Sequence, residues 1–285
     1  MKRVLARWLG LALNRTRRPA LAWPLLALLA SMLLALLPLQ AARAGTACTP
    51  KNNDAATFVK SMELAEKTRA ALDASGAQVA LIARVGQDLS KYKLRYSHMA
   101  FVWRDHPKGR WLVVHELNQC GTAQSALFDQ GLANFFLDDL FEYESAILIP
   151  GAQSQARIAA ALLTATPGRM HGARYNMLAY AFSTTYQNSN QWVLETYAAS
   201  MSELPVDDRA KAQSWLKLAG YKPIAVHVPA ATRLGARMFK ANVAFDDHPF
   251  DRRMAGEIDT VTVESVLRFV RERDPETREL SVSLR

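Results

Sequence analysis

Between Pro19 and Leu39 the chain runs for 21 residues without a charged side chain. Lys2, Arg3, Arg7, Arg15, Arg17 and Arg18 precede this run, and Ala42-Arg43-Ala44 follows it. A basic start, an apolar centre and a small-x-small site are the parts of a secretory signal peptide. Residues 1–44 are therefore set aside as a leader, and 45–285 must supply the fold. Cleavage after Ala44 and a periplasmic destination are expected. The competing reading is an uncleaved anchor, because a stretch of about 20 apolar residues can span a bilayer. Pro24 and Pro38 interrupt the run, and Arg17-Arg18 followed by Pro19 is a poor twin-arginine signal. Once the leader is removed, no stable membrane span is expected.

The leader also accounts for the charge. The whole chain carries a formal net charge of +9, and residues 1–44 hold seven basic residues and no acid. About +2 is left for 45–285, which gives no reason to expect a nucleic-acid partner. Half of the chain is hydrophobic and 21% is charged, a composition that excludes disordered and collagen-like chains. Cys48 and Cys120 both follow the leader. An even pair in an oxidising compartment predicts a disulfide. Closing so long a loop stabilises by about 4 kcal/mol in the chain-entropy model. Two buried thiols are the alternative.

The mature part reads as mixed helix and strand without regular alternation, so the expected class is α+β. A helix is predicted over 54–75 with Gly76 as its stop. Strands are predicted over 78–85, 95–104 and 110–117, the last two joined as a hairpin through Asp105-His106-Pro107-Lys108-Gly109. Residues 124–143 are ambiguous and read as helical with a break at Gly131. A strand over 146–149 and helices over 153–163, 188–201 and 206–219 follow. A strand over 224–228 and a helix over 262–271 complete the reading. One domain is expected over 45–228, with 229–285 packed on it as an extension.

Three places could carry chemistry. His98 and His115 lie on the two strands of the hairpin. A hairpin centred between His106 and Pro107 pairs residues whose numbers sum to 213, which puts the two histidines directly opposite, with Cβ atoms about 5 Å apart. A slip by two leaves them diagonal on one face, whereas a bulge separates them. Two imidazoles on one face can act as base and orienter; unrelated strand histidines are the plainer reading. The third place is Asn188-Ser189-Asn190-Gln191-Trp192-Val193. With Asn188 as N-cap, Ser189 falls in the first turn of a helix, where unpaired N–H groups favour developing negative charge. An ordinary polar helix start would look the same. Asp246-Asp247-His248 lacks a second cluster with ligand spacing, so no metal is expected, and no cofactor motif is present.

Taken together, these segments resemble the circularly permuted papain-like proteins of the NlpC and lecithin retinol acyltransferase type. In that pattern a strand histidine is the base and a polar residue on the next strand orients it. A cysteine opening a later helix is the nucleophile. The resemblance implies His98 as base, His115 as orienter and Ser189 at the nucleophile position, with serine where cysteine is the rule. It also implies an antiparallel sheet packed on the nucleophile-bearing helix, and a substrate groove near Tyr96, Asn188, Asn190, Gln191 and Trp192. More specifically, Ser97-His98, Val113-Val114-His115-Glu116-Leu117-Asn118-Gln119-Cys120-Gly121, Asn134-Phe135-Phe136, Tyr175-Asn176 and Gln187 to Glu195 are similar to a bacterial family, domain of unknown function 2145. Two functions follow as expectations. One is an envelope hydrolase or acyltransferase acting on an amide or ester, with a peptide or acyl substrate. The other is a non-catalytic module that keeps the groove to bind a peptide or envelope component.

Overall fold

A computed structural model of the protein describes residues 54–138 and 140–284. The expected leader, its expected cleavage site and Cys48 lie outside the described residues, so the expected bridge to Cys120 has only one described end.

The Asp54 carboxylate accepts from the Thr57 amide and starts α1 (Ala55–Ser75), which Gly76 ends at φ 71°. Next come β1 (Val79–Val85), β2 (His98–His106), β3 (Gly109–Asn118) and β4 (Ser125–Gly131). Then follow α2 (Leu132–Leu137), β5 (Glu142–Ile149), α3 (Ala152–Leu162) and the short α4 (Thr166–Arg169). After an irregular stretch the chain forms α5 (Ser189–Met201), α6 (Arg209–Leu218), β6 (Ile224–His227) and α7 (Ala230–Phe239). It closes with α8 (Phe250–Met254), β7 (Glu257–Thr260), α9 (Val263–Arg273) and β8 (Arg278–Ser283). The fold is α+β. Six strands form one sheet in the order β4-β3-β2-β1-β5-β8, every neighbour antiparallel, and β6 and β7 form a separate ribbon.

The central strand β1 is buried along its whole length because both sheet faces are covered. Val79, Leu81 and Ala83 meet α3, α5, α6 and α9 on one face, through Ile158, Trp192, Leu216 and Phe269 among others. Ala80 and Ile82 meet α1 and α2 on the other, through Leu64, Leu72, Phe135 and Phe136. Residues 229–285 contribute to this body directly. β8 pairs with β5, and Val263, Val266, Phe269 and Val270 of α9 join the larger core.

Two sequence expectations change. Residues 125–131, read as helical, form β4 and pair with β3 from Leu112–Gly131 to Asn118–Ser125. Only 132–137 are helical. The half-polar run Ser125-Ala126-Leu127-Phe128-Asp129-Gln130 has neither period clearly, and the open edge of β3 decides it. The hairpin is also displaced. His106 pairs with Gly109, leaving Pro107-Lys108 as a two-residue turn, and Phe101 faces Val114. The register sum is thus 215 rather than 213, the slip by two that leaves His98 and His115 diagonal on one face.

Helix α5 is buried on nearly every side, from Ser189 through Ala198, which is why its sequence shows no polar stripe. At its centre Glu195, fully buried, receives Arg209 Nε at 2.7 Å, Gln187 Nε2 at 2.6 Å, Gln213 Nε2 at 2.7 Å and Gln191 Nε2 at 3.2 Å. Removing the cation strands a carboxylate without its charge partner in the core. Arg209→Ala should therefore destabilise the fold by about 3–5 kcal/mol, read as a fall in the urea midpoint, whereas the pair Glu195→Leu with Arg209→Met should recover most of the loss.

Candidate functional site

Ser189, His98 and His115 come together. The Asn188 side chain accepts from the Gln191 amide at 2.8 Å and starts α5, so Ser189 is its first residue. Asn190 Oδ1 accepts from the Met99 amide at 3.0 Å, which ties the start of α5 to the start of β2. Ser189 Oγ then lies 2.9 Å from His98 Nδ1. His98 Nε2 lies 3.0 Å from His115 Nδ1, and His115 Nε2 lies 3.2 Å from Gln130 Oε1 on β4. The four side chains form one continuous relay.

The far end of the relay sets its direction. The Gln130 amide oxygen can only accept, so His115 donates from Nε2 and keeps Nδ1 as an acceptor. His98 donates to it from Nε2, and His98 Nδ1 accepts the Ser189 hydroxyl. Both rings are neutral in this arrangement. Burial, with help from the nearby Arg84 charge, pushes His98 well below the ordinary histidine range. The same two causes bring His115 down to about 4. Phe135 packs against both imidazoles, with centroids 5.8 and 5.7 Å away, and Arg84 stacks on Phe135 at 4.9 Å.

On the serine side, α5 holds N–H groups that intrahelical bonding leaves free. Gln191 N is taken by Asn188, and Trp192 N by the Asn188 carbonyl, so those of Ser189 and Asn190 belong to the unpaired first turn. The Tyr175 hydroxyl stands beside Ser189, held above its usual pKa by burial and by the Glu116 carboxyl behind it. Glu116 is itself fully buried and pushed up to about 8 by desolvation. Ser125 stands next to it, but neither carboxyl oxygen makes a well-formed hydrogen bond.

The residues expected along a groove divide differently. Asn188 is 3% exposed and holds the backbone around Val261 and Met177 together with its cap. Gln191 and Trp192 are fully buried; Gln191 serves Glu195, and Trp192 donates to the Pro167 carbonyl and meets Phe101 edge-on. These are scaffold rather than groove wall, because their polar groups are bonded to the surrounding backbone and to Glu195. Tyr96 donates to Glu144 at 2.8 Å and packs at the margin of the larger core. Among the described residues no cluster of three or more potential ligands suits a metal, and Asp246-Asp247-His248 is used in turn contacts to Tyr180 and Leu178. Sequence reasoning missed Gln130, Phe135, Tyr175 and Arg84 as site members. Only the bonding of β4 beside β3 aligns Gln130 with His115, and no spacing rule encodes that.

The family model described as "Uncharacterized protein conserved in bacteria (DUF2145)" matches residues 71–270, and the chain belongs to that family. No curated protein and no solved structure gives a significant match.

The relay makes a tautomer prediction. Long-range nitrogen–proton correlation spectra of the two imidazoles should find the proton on Nε2 of both His98 and His115. Gln130→Leu removes the terminal acceptor and should give mixed tautomers at His115. Nδ1 protonation of His98 in the unsubstituted protein would mean the relay runs the other way.

Proposed function

We propose that the protein is an exported bacterial hydrolase or acyltransferase that opens an amide or ester of the cell envelope, built on a circularly permuted papain-like fold of the NlpC type. The observation that carries this reading is the unbroken Ser189–His98–His115–Gln130 relay at the start of a buried helix. The chain order supports the fold reading: base on one strand, orienter on the next, nucleophile at a later helix start.

Ser189 attacks the substrate carbonyl carbon while His98 Nδ1 takes the hydroxyl proton. The imidazolium that forms keeps its Nε2–H on His115 Nδ1. The carbonyl oxygen becomes an oxyanion, which the free first-turn N–H groups of α5 and the Tyr175 hydroxyl are placed to receive. Collapse expels the amine or alcohol, which takes the proton back from His98. Water, or an acceptor hydroxyl or amine, then attacks the acyl-serine with His98 again as base; the acyl–Oγ bond breaks, and Ser189 Oγ takes the proton back from His98. Serine, unlike cysteine, stays protonated at a helix N-terminus, so it depends on a base that is neutral at working pH. The lowered His98 pKa supplies that.

A second reading is a binding module on the same scaffold. It is favoured by burial: Ser189 and His98 are only 6% and 8% exposed. A fluorophosphonate probe separates the two. A hydrolase should be labelled on Ser189, with labelling lost in Ser189→Ala and slowed about 100-fold or more in His98→Ala. Because the folded pKa of His98 lies below the ordinary value, the base is already neutral at pH 6, and the labelling rate should not fall between pH 8 and pH 6. No labelling, or labelling indifferent to His98, rejects the enzyme reading and leaves the module.

Export is part of the same proposal. Protein recovered from the periplasm should begin at Gly45 on N-terminal sequencing, and thiol reagents without reductant should find no reactive sulfhydryl if Cys48 and Cys120 are bridged. A full-length membrane-embedded product, or two labelled cysteines, would overturn it.

A further inference from the structure

Helix α7 carries an apolar stripe that no described residue covers. None of its residues is buried. Ala236 turns toward the small core of Val226, Val228, Phe245 and Ile258. Ala231, Leu234 and Met238 follow the i, i+3, i+7 spacing and share one outward strip. Leu234 and Met238 are 64% and 58% exposed, and Phe239 beside them is 55% exposed. Single exposed apolar side chains are ordinary; a strip of them along one helix is not.

The chain segment that carries this strip has charged side chains of one sign. Lys222, Arg233, Arg237 and Lys240 are the charged residues between 222 and 245, and no acid occurs there. At the N-terminal end of α7 opens a cleft of about 440 Å³, lined by Lys91, Lys93, His227, Pro229 and Thr232. The nearby acids are held by cations or lie opposite the cleft's strand: Asp88 near Lys91, Asp246 at 3.6 Å from Arg237, Glu257 at 3.2 Å from His227, and Asp259, which pairs with Ala225 and binds Arg252. An apolar strip edged by cations, with a cationic cleft at one end, is the pattern of a helix lying in a membrane interface. A second copy of the chain fits less well, because a two-fold contact through this strip would bring like charges together.

We propose that α7 and the Lys91–Lys93 cleft form a docking surface for an anionic phospholipid bilayer. Leu234, Met238 and Phe239 enter the acyl boundary, while the two lysines receive headgroup phosphate. This surface is independent of the Ser189 relay and would place the protein against the membrane whether or not that relay is catalytic.

Backbone hydrogen exchange on the chain as purified provides the test, since it reads α7 by itself and is indifferent to any binding by the leader. With phosphatidylglycerol vesicles, exchange of the 230–239 amides should slow about fivefold or more, and with phosphatidylcholine vesicles it should stay unchanged. The pair Leu234→Asp and Met238→Asp, at exposed positions, should abolish the slowing while circular dichroism stays that of the unsubstituted protein. Lys91→Gln and Lys93→Gln should each weaken the vesicle dependence about fivefold, the effect of one cation near an anionic surface. No slowing with anionic vesicles overturns the proposal. So does slowing that grows with protein concentration in the absence of lipid, which would mark a self-contact. Protection by inorganic phosphate at the cleft alone, with α7 unaffected, would reduce the surface to an anion pocket and overturn it as well.

Discussion

The buried Glu195–Arg209 pair is the interaction on which the rest of the structure depends. Arg209 joins α6 to Glu195 of α5 at 2.7 Å, and its guanidinium also donates to the carbonyls of Thr184 and Tyr186 at 3.1 and 2.8 Å. Gln187 bridges Glu195 to the Met170 carbonyl and accepts from the Gly172 amide at 2.6 Å. A Cβ at Gly172 would meet Arg209 Nη1 at 2.6 Å, so the backbone passes the guanidinium at a distance that only glycine allows. The hub therefore fixes residues 183–187, the segment that delivers Asn188 to its cap and Ser189 to the first turn. An ion pair taken out of water is weak as a source of stability, but a fully bonded one admits few alternative arrangements. Here it holds a loop with little apolar surface of its own in one register.

Burial then sets the chemistry of the relay. His98 and His115 point to the face covered by α1 and α2, where Phe135 lies on both rings and Arg84 lies over Phe135. Desolvation and that nearby cation act in the same direction, so both imidazoles stay neutral where solvent-exposed ones would be partly charged. On the other face Glu116 feels the same desolvation and responds oppositely, holding its proton to about pH 8. The two imidazoles and the Glu116 carboxyl thus stay uncharged near neutrality, beside the Arg84 cation. That is the state the proposed serine nucleophile requires, since its hydroxyl needs a proton acceptor rather than a charged partner.

Much of this could be read from the chain alone, and the reasons differ by residue. The helix start at Asn188 follows from local capping chemistry, as does the stop at Gly76, because these depend on side chains within a few residues. Both histidines on one face follow from the period of two along each strand, which holds even though the hairpin register is displaced by two. The strand at 125–131 and the position of Gln130 were not legible: nothing local distinguishes that run from a helix, and its pairing with β3 is a long-range choice. β8 was likewise hidden, since its half-polar sequence is a strand only because β5 offers an open edge.

The sequence by itself determined the local pieces: the helix caps, a histidine on each of two paired strands, and a serine in a first turn. Only the tertiary structure decided that these meet. The separation between Ser189 and His98 is 91 residues along the chain and 2.9 Å in space. It is closed by the Asn190 bond to Met99 and by the buried charge hub behind α5, which are contacts between distant segments. The tautomers that give the relay its direction were decided the same way, by a single amide oxygen that β4 brings to His115.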